Sequence, residues 1–158
     1  MMPRLTSTDG VSHYRAFHGA GWHDAIDGRR LPVEDPSSGR VWASIPRCGP
    51  QDVARAVDAA RAAATGGPWA TMRPTDRGRW LRRLGDALAA DVERLAPLES
   101  RDNGKRLAEV RAQFADLPEY FHYFAGLADK FEGRVVPIDR ADVFNFTQWE
   151  PYGVVAAI

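Results

Sequence analysis

The last six residues, Gly153 to Ile158, are an apolar run entered through a turn at Pro151. Such a run reads as a strand buried on both faces of a parallel sheet. A parallel strand reaches its neighbours only through crossovers of about a dozen residues or more, and nothing follows Ile158 to supply one. The expectation is therefore an α/β fold, truncated at a core element.

Upstream, residues 1–20 show no clear periodicity and read as a flexible amino-terminal arm. Arg29–Glu34 and Arg40–Ile45 flank the Pro36-Ser37-Ser38-Gly39 turn and spell a β-hairpin, with Val33, Val41 and Ile45 at β-branched positions. Pro50 suits the first turn of a helix, where its missing N–H would be unpaired anyway. Val53, Ala56, Val57, Ala60 and Ala64 give that helix one narrow apolar face, and Gly66-Gly67-Pro68 ends it.

A second helical region over Pro74–Ser100 carries Trp80, Leu81, Leu84, Leu88, Val92 and Leu95 as its predicted buried stripe, with a break or kink at Pro97. Arg77, Arg79, Arg82 and Arg83 cluster there. Pairing with Asp76 and Asp86 on a solvated face explains them better than phosphate binding. A third helix, Leu107–Phe131, is predicted to be interrupted near Pro118, and its aromatic residues Tyr120, Phe121, Tyr123 and Phe124 suit a core or a subunit interface. Val143–Thr147 alternates apolar and polar side chains as an edge hairpin does, marginal by itself.

With 158 residues, 44% of them hydrophobic, the chain has apolar material for one ordinary domain, which at this size buries about 70% of its extended surface. Its formal net charge is zero and its basic residues are dispersed, so neither nucleic acid nor an anionic membrane is an expected partner. There is no apolar run of about 18 residues, no secretory core near Met1, and a single cysteine, Cys48, which cannot form an internal disulfide. A cytoplasmic protein is the expectation.

Six blocks in order resemble the aldehyde dehydrogenase superfamily. They are Trp22-His23-Asp24-Ala25, Asp35-Pro36-Ser37-Ser38-Gly39, Gly67-Pro68-Trp69, Arg77-Gly78-Arg79, Leu98 to Lys105 with its Glu-x-x-Asp-x-Gly-Lys pattern, and Glu150 to Ile158. Asp35 stands where that family usually has Asn, and Gln148-Trp149 where a basic residue is common. The resemblance implies an amino-terminal segment of an NAD(P)-dependent enzyme that oxidises an aldehyde to a carboxylic acid through a cysteine thioester. It assigns residues 21–134 to the amino-terminal hairpin and helices of the cofactor-binding domain. Residues 135–150 become part of an oligomerisation hairpin, and residues 151–158 the first strand of the nucleotide-binding sheet. A homo-dimer or homo-tetramer is implied for the complete enzyme.

By the same resemblance, the oxyanion donor, nucleophile and base lie beyond Ile158, so no catalytic residue is assigned and the chain alone is expected to be inactive. Ile158, at the carboxyl end of its strand, would border NAD or NADP. Asp102 would bind a monovalent cation with the backbone carbonyls of Val33 and Glu34, hard oxygens suiting a hard ion. A turn or cap role for Asp102 before Gly104 explains it equally well, and Glu99, three residues earlier, is unassigned.

Other signals carry less. Cys48, in Pro46-Arg47-Cys48-Gly49-Pro50, has no nucleophile motif around it. Gly104-Lys105 lacks the glycine and hydroxyl residue of a phosphate loop, and Gly19-Ala20-Gly21 lacks the last glycine of a dinucleotide fingerprint. His13, His18 and His23 are five apart, on neither a helical nor a strand face. A different class of function is also open: a non-enzymatic interaction protein docking on a full-length relative. A reading frame that continues with a Pro-Trp-Asn segment would favour the enzyme, and a stop codon the interaction protein.

Overall fold

The computed structural model describes residues 6–8 and 10–158. Strands β1 (Thr6–Thr8), β2 (Val11–His13), β5 (Arg30–Asp35) and β6 (Arg40–Pro46) form a sheet of order β1-β2-β6-β5, while β3 (Ala16–His18) and β4 (Gly21–His23) make a separate hairpin. Residues 1–5 and 9 of the expected arm lie outside the described residues. The rest of that arm is not loose: β2 runs parallel to β6, pairing Ser12 with Ala43 and His13 with Ser44. Main-chain ladder bonds and the 2.7 Å contact of His13 Nδ1 with Ser44 Oγ hold it. Neither leaves a hydrophobic period for sequence reasoning to detect.

The predicted β5–β6 hairpin is present, paired antiparallel from Arg30↔Pro46 to Asp35↔Arg40. Asp35 closes its turn by accepting the Ser37 N–H at 2.8 Å and the Ser37 hydroxyl at 2.6 Å. These bonds, the hydroxyl first, hold the Asp35 carboxyl below its ordinary pKa of 3.8. The register slips between Val33, opposite Ala43, and Glu34, opposite Val41, so Trp42 is the extra residue of a bulge. Arg30 fastens the layers together. Its guanidinium donates to the carbonyls of Tyr14 and Ser44, to the Ser44 hydroxyl, and to Asp24.

Helix α1 (Pro50–Thr65) starts at Pro50 as predicted and stops before Gly66. Asp52 ties its start to the β4–β5 connection, accepting the N–H of Gly49 at 2.8 Å and of Ile26 at 3.1 Å. The short α2 (Pro68–Thr71) leads to α3 (Pro74–Ala90), α4 (Val92–Asn103) and α5 (Leu107–Leu127). Neither proline break occurs. The chain bends at Asp91 instead, and Pro97 and Pro118 both sit inside continuous helices. A missing N–H removes a single ladder bond, and the packing of α5 on α3 and α4 holds the helices through that loss.

Helix α3 approaches α5 closely at two glycines. Gly78 and Gly85, two turns apart, are buried. A Cβ at Gly78 would lie 2.6 Å from the Ala125 carbonyl oxygen, and one at Gly85 would lie 3.0 Å from His122 Nε2. Asp86, expected to pair with arginines, instead meets His122 Nε2 at 3.0 Å across the helix pair. Asp76 takes Arg73 and, as expected, Arg79. Trp80, predicted as core, is 52% exposed, and Val53 on the predicted face of α1 is 54% exposed.

From Asp129 onward the chain is exposed throughout. The predicted edge hairpin survives as one bridge, Val135↔Phe146, with Val136 N–H on the Asn145 carbonyl and Thr147 N–H on that of Arg134. The strand predicted over Gly153–Ile158 is absent from the chain as it stands, because no neighbouring strand pairs with it.

Candidate functional site

The cavity that gathers chemistry lies between the β5–β6 hairpin and α4. It is lined by Tyr14, Val33, Trp42, Ala43, Ile45, Leu98, Glu99 and Asp102, with a volume of about 270 Å³. Gly104, in the left-handed region at φ 77°, ends α4 and sets its backbone against Pro36, whose Cβ would be 3.2 Å from any added Cβ. That contact docks the end of α4 on the hairpin turn. Arg101 strengthens the docking, with its guanidinium 5.0 Å from the Trp42 ring centre and 3.9 Å from Asp35.

The residues that the resemblance pairs for a cation are therefore partly brought together. Val33 and Asp102 line one cavity, and Glu34 stands beside Val33 at the bulge without lining it. Glu99 is engaged, accepting from Asn103 Nδ2 at 2.6 Å and facing Lys105 Nζ at 3.8 Å. Among the described residues Asp102, an exposed side chain, has no ion-pair or hydrogen-bond partner of its own.

Ile158 is fully exposed at the end of an unpaired segment and by itself builds no site for a dinucleotide. Cys48 is exposed, yet the desolvation it has, followed by the negative fields of Asp52 and Asp27, raises its thiol above the ordinary pKa. That is the reverse of what activates a nucleophile. The β3–β4 turn brings His18 and His23 into a stack 4.1 Å between ring centres, with His13 on the other sheet. Sequence reasoning passed over Tyr14, Trp42 and Arg101. The adjacency of Trp42 to Val41 in a strand was the one available signal, and it marks no chemistry.

A second concavity, of about 500 Å³, lies between α2 and α3 and is almost wholly apolar: Pro68, Trp69, Met72, Trp80, Leu81 and Leu84. Arg77 and Arg83 stand over the Trp69 and Trp80 rings, at 5.8 and 5.0 Å. Trp80, Leu81 and Leu84, half of the stripe that was predicted to be core, lie here.

A hairpin seated on an αL-capped helix, beside a glycine-packed helix pair, defines a mixed α/β amino-terminal unit of the aldehyde dehydrogenase-like fold. The family model described as "Aldehyde dehydrogenase family" matches residues 22–158. The chain belongs to that family. It is 41% identical over 152 residues to the mitochondrial aldehyde dehydrogenase of Equus caballus, a match covering 94% of this chain and 30% of that protein. Its structure is similar to the NAD+ complex of aldehyde dehydrogenase from Bacillus cereus, with TM-score 0.82 and 31% identity over 88% of this chain and 28% of that one. An NAD-dependent aldehyde dehydrogenase from Sinorhizobium meliloti matches at TM-score 0.78 and 28% identity, over 91% of this chain and 29% of the other. The chain thus spans about 30% of the length of the relatives it matches. Among the described residues no helix is long and apolar enough to cross a membrane.

Proposed function

We propose that this chain supplies the amino-terminal scaffold of an enzyme that oxidises an aldehyde to a carboxylic acid with NAD or NADP. The observation that carries the reading is the family match over residues 22–158, joined to a fold superposable on an NAD+ complex. In this reading the work of the chain is architectural. The β5–β6 hairpin and α4 hold a monovalent cation at Asp102 and the Val33 and Glu34 carbonyls. The aromatic residues of 135–150 serve a homo-dimer or homo-tetramer, and Phe144, 73% exposed, suits that role. Ile158 would lie beside the dinucleotide once its strand has neighbours. No step of the oxidation is assigned to this chain, whose one thiol is disfavoured as a thiolate, and the chain alone is inactive. A cytoplasmic setting is part of the proposal.

The test is a chimera in which residues 22–158 replace the matching segment of the Bacillus cereus enzyme. NAD(P)H formation from a panel of aldehydes by the chimera, with none by the chain alone, is the expected result. A folded chimera that binds NAD+ but turns over no aldehyde would sink the reading. The apolar α2–α3 groove favours a second one, a non-enzymatic protein docking on a full-length relative. In that case mixing the chain with the relative yields a stable mixed complex while the chimera stays inactive.

A further inference from the structure

We propose that this chain associates with a second copy of itself by seating an exposed aromatic ridge of α5 in the apolar groove between α2 and α3. The groove is about 500 Å³, and Trp69, Trp80 and Leu84 in its wall are all exposed. In α5 the predicted aromatic cluster divides. Phe121 and His122 face Gly85 of α3, whereas Tyr120 and Tyr123, each 64% exposed, lie with Phe124 on the opposite face by helical spacing. Asp116 precedes Tyr120 by four residues and Glu119 precedes Tyr123 by four, so both exposed carboxylates stand on that outer face. Among the described residues neither has an ion-pair or hydrogen-bond partner.

Charge decides what the groove accepts. Helix α3 carries four arginines against two aspartates. Asp76 is taken by Arg73 and Arg79, and Asp86 by His122. Arg77 and Arg83 are thus left without a carboxylate among the described residues, and they are the two that stand over the Trp69 and Trp80 rings. An apolar floor under a cationic rim fits an aromatic ridge edged by carboxylates, and aromatic residues and arginine are the types that interface cores favour. The ridge turns away from α3, on which the groove is built, so a copy cannot fill its own groove. The contact is heterologous: a pair of copies still offers one groove and one ridge, and assembly continues past the dimer or closes into a ring. It uses none of residues 135–150 and does not depend on the enzyme reading above.

The experiment follows sedimentation velocity of the whole chain over a concentration series, beside two charge-reversed variants. One reverses the groove, Arg77→Glu with Arg83→Glu, and the other the ridge, Asp116→Lys with Glu119→Lys. Wild type should grow past a dimer as concentration rises, and each variant alone should associate at least about tenfold more weakly, because like charges then face each other. Equimolar mixing of the two should restore assembly, since every groove then meets a ridge of opposite sign. A wild type that stays monomeric overturns the proposal and leaves the groove to a different protein. Variants that associate as the wild type does also overturn it, and place self-association elsewhere in the chain. Folded variants that stay apart when mixed overturn it as well. Should either double variant unfold, Arg83→Glu and Glu119→Lys, both at exposed positions, repeat the cycle with the same outcomes deciding.

Discussion

Residues 30–46 and 135–158 are both rich in β-branched and aromatic residues, yet one is a six-pair antiparallel ladder and the other a single bridge followed by coil. The difference is not one of propensity. β5–β6 has β2 along one edge and α4 against the hairpin, so its backbone groups and its Trp42 ring are covered. Residues 135–158 have no cover, and a lone hairpin is marginal in water. A strand is a property of a pair, and the apolar pattern of Val154–Ile158 states only what kind of neighbour it would accept.

The comparison breaks most readily at the helix pair on the supported side. Gly78→Leu drives a side chain into the Ala125 carbonyl, which is backbone and cannot move aside. A loss on the order of 3 kcal/mol, read from urea unfolding, is expected, as for other overpacked cores. A loss below about 1 kcal/mol would mean that α3 and α5 do not approach as closely as the glycines imply.

A smaller effect, tied to pH, is expected at the hairpin turn. The Asp35 carboxyl is held below 3.8 in the folded chain by the Ser37 hydroxyl and then the Ser37 N–H. Its contribution is therefore present above the unfolded pKa and is lost as pH falls through the depressed folded value. Asp35→Ala should lower Tm at neutral pH, and the gap to wild type should narrow steadily once pH drops below 3.8. A gap that stayed constant down to strongly acid pH would show that the turn does not depend on the ionised carboxylate.

The smallest effect belongs to the uncovered end. Val155→Asp in this chain should change stability by no more than about 0.5 kcal/mol, the range of ordinary surface substitutions. In the chimera, where the strand gains neighbours, the same change should cost several-fold more, because it places a charge in an apolar layer. Equal effects in both proteins would mean that residues 151–158 never join a sheet.

Sequence alone determined whatever rests on local chemistry. It gave the β5–β6 hairpin from Asp35-Pro36-Ser37-Ser38-Gly39, the start of α1 from Pro50, and the family from six ordered blocks, because turns, caps and motifs are decided by neighbours along the chain. Of the candidate site, Asp102 and Val33 were named only through the family resemblance, and that they line one cavity came from the structure. Only the tertiary structure decided that Gly78 and Gly85, rather than Trp80 and Leu84, carry the contact between α3 and α5, since closeness of two backbones leaves no hydrophobic signature. It alone paired Asp86 with His122, joined the expected arm to β6, and buried Trp42 at the cavity. Each of these depends on a partner far off in sequence, and a one-dimensional pattern records what a residue can do but not what stands opposite it.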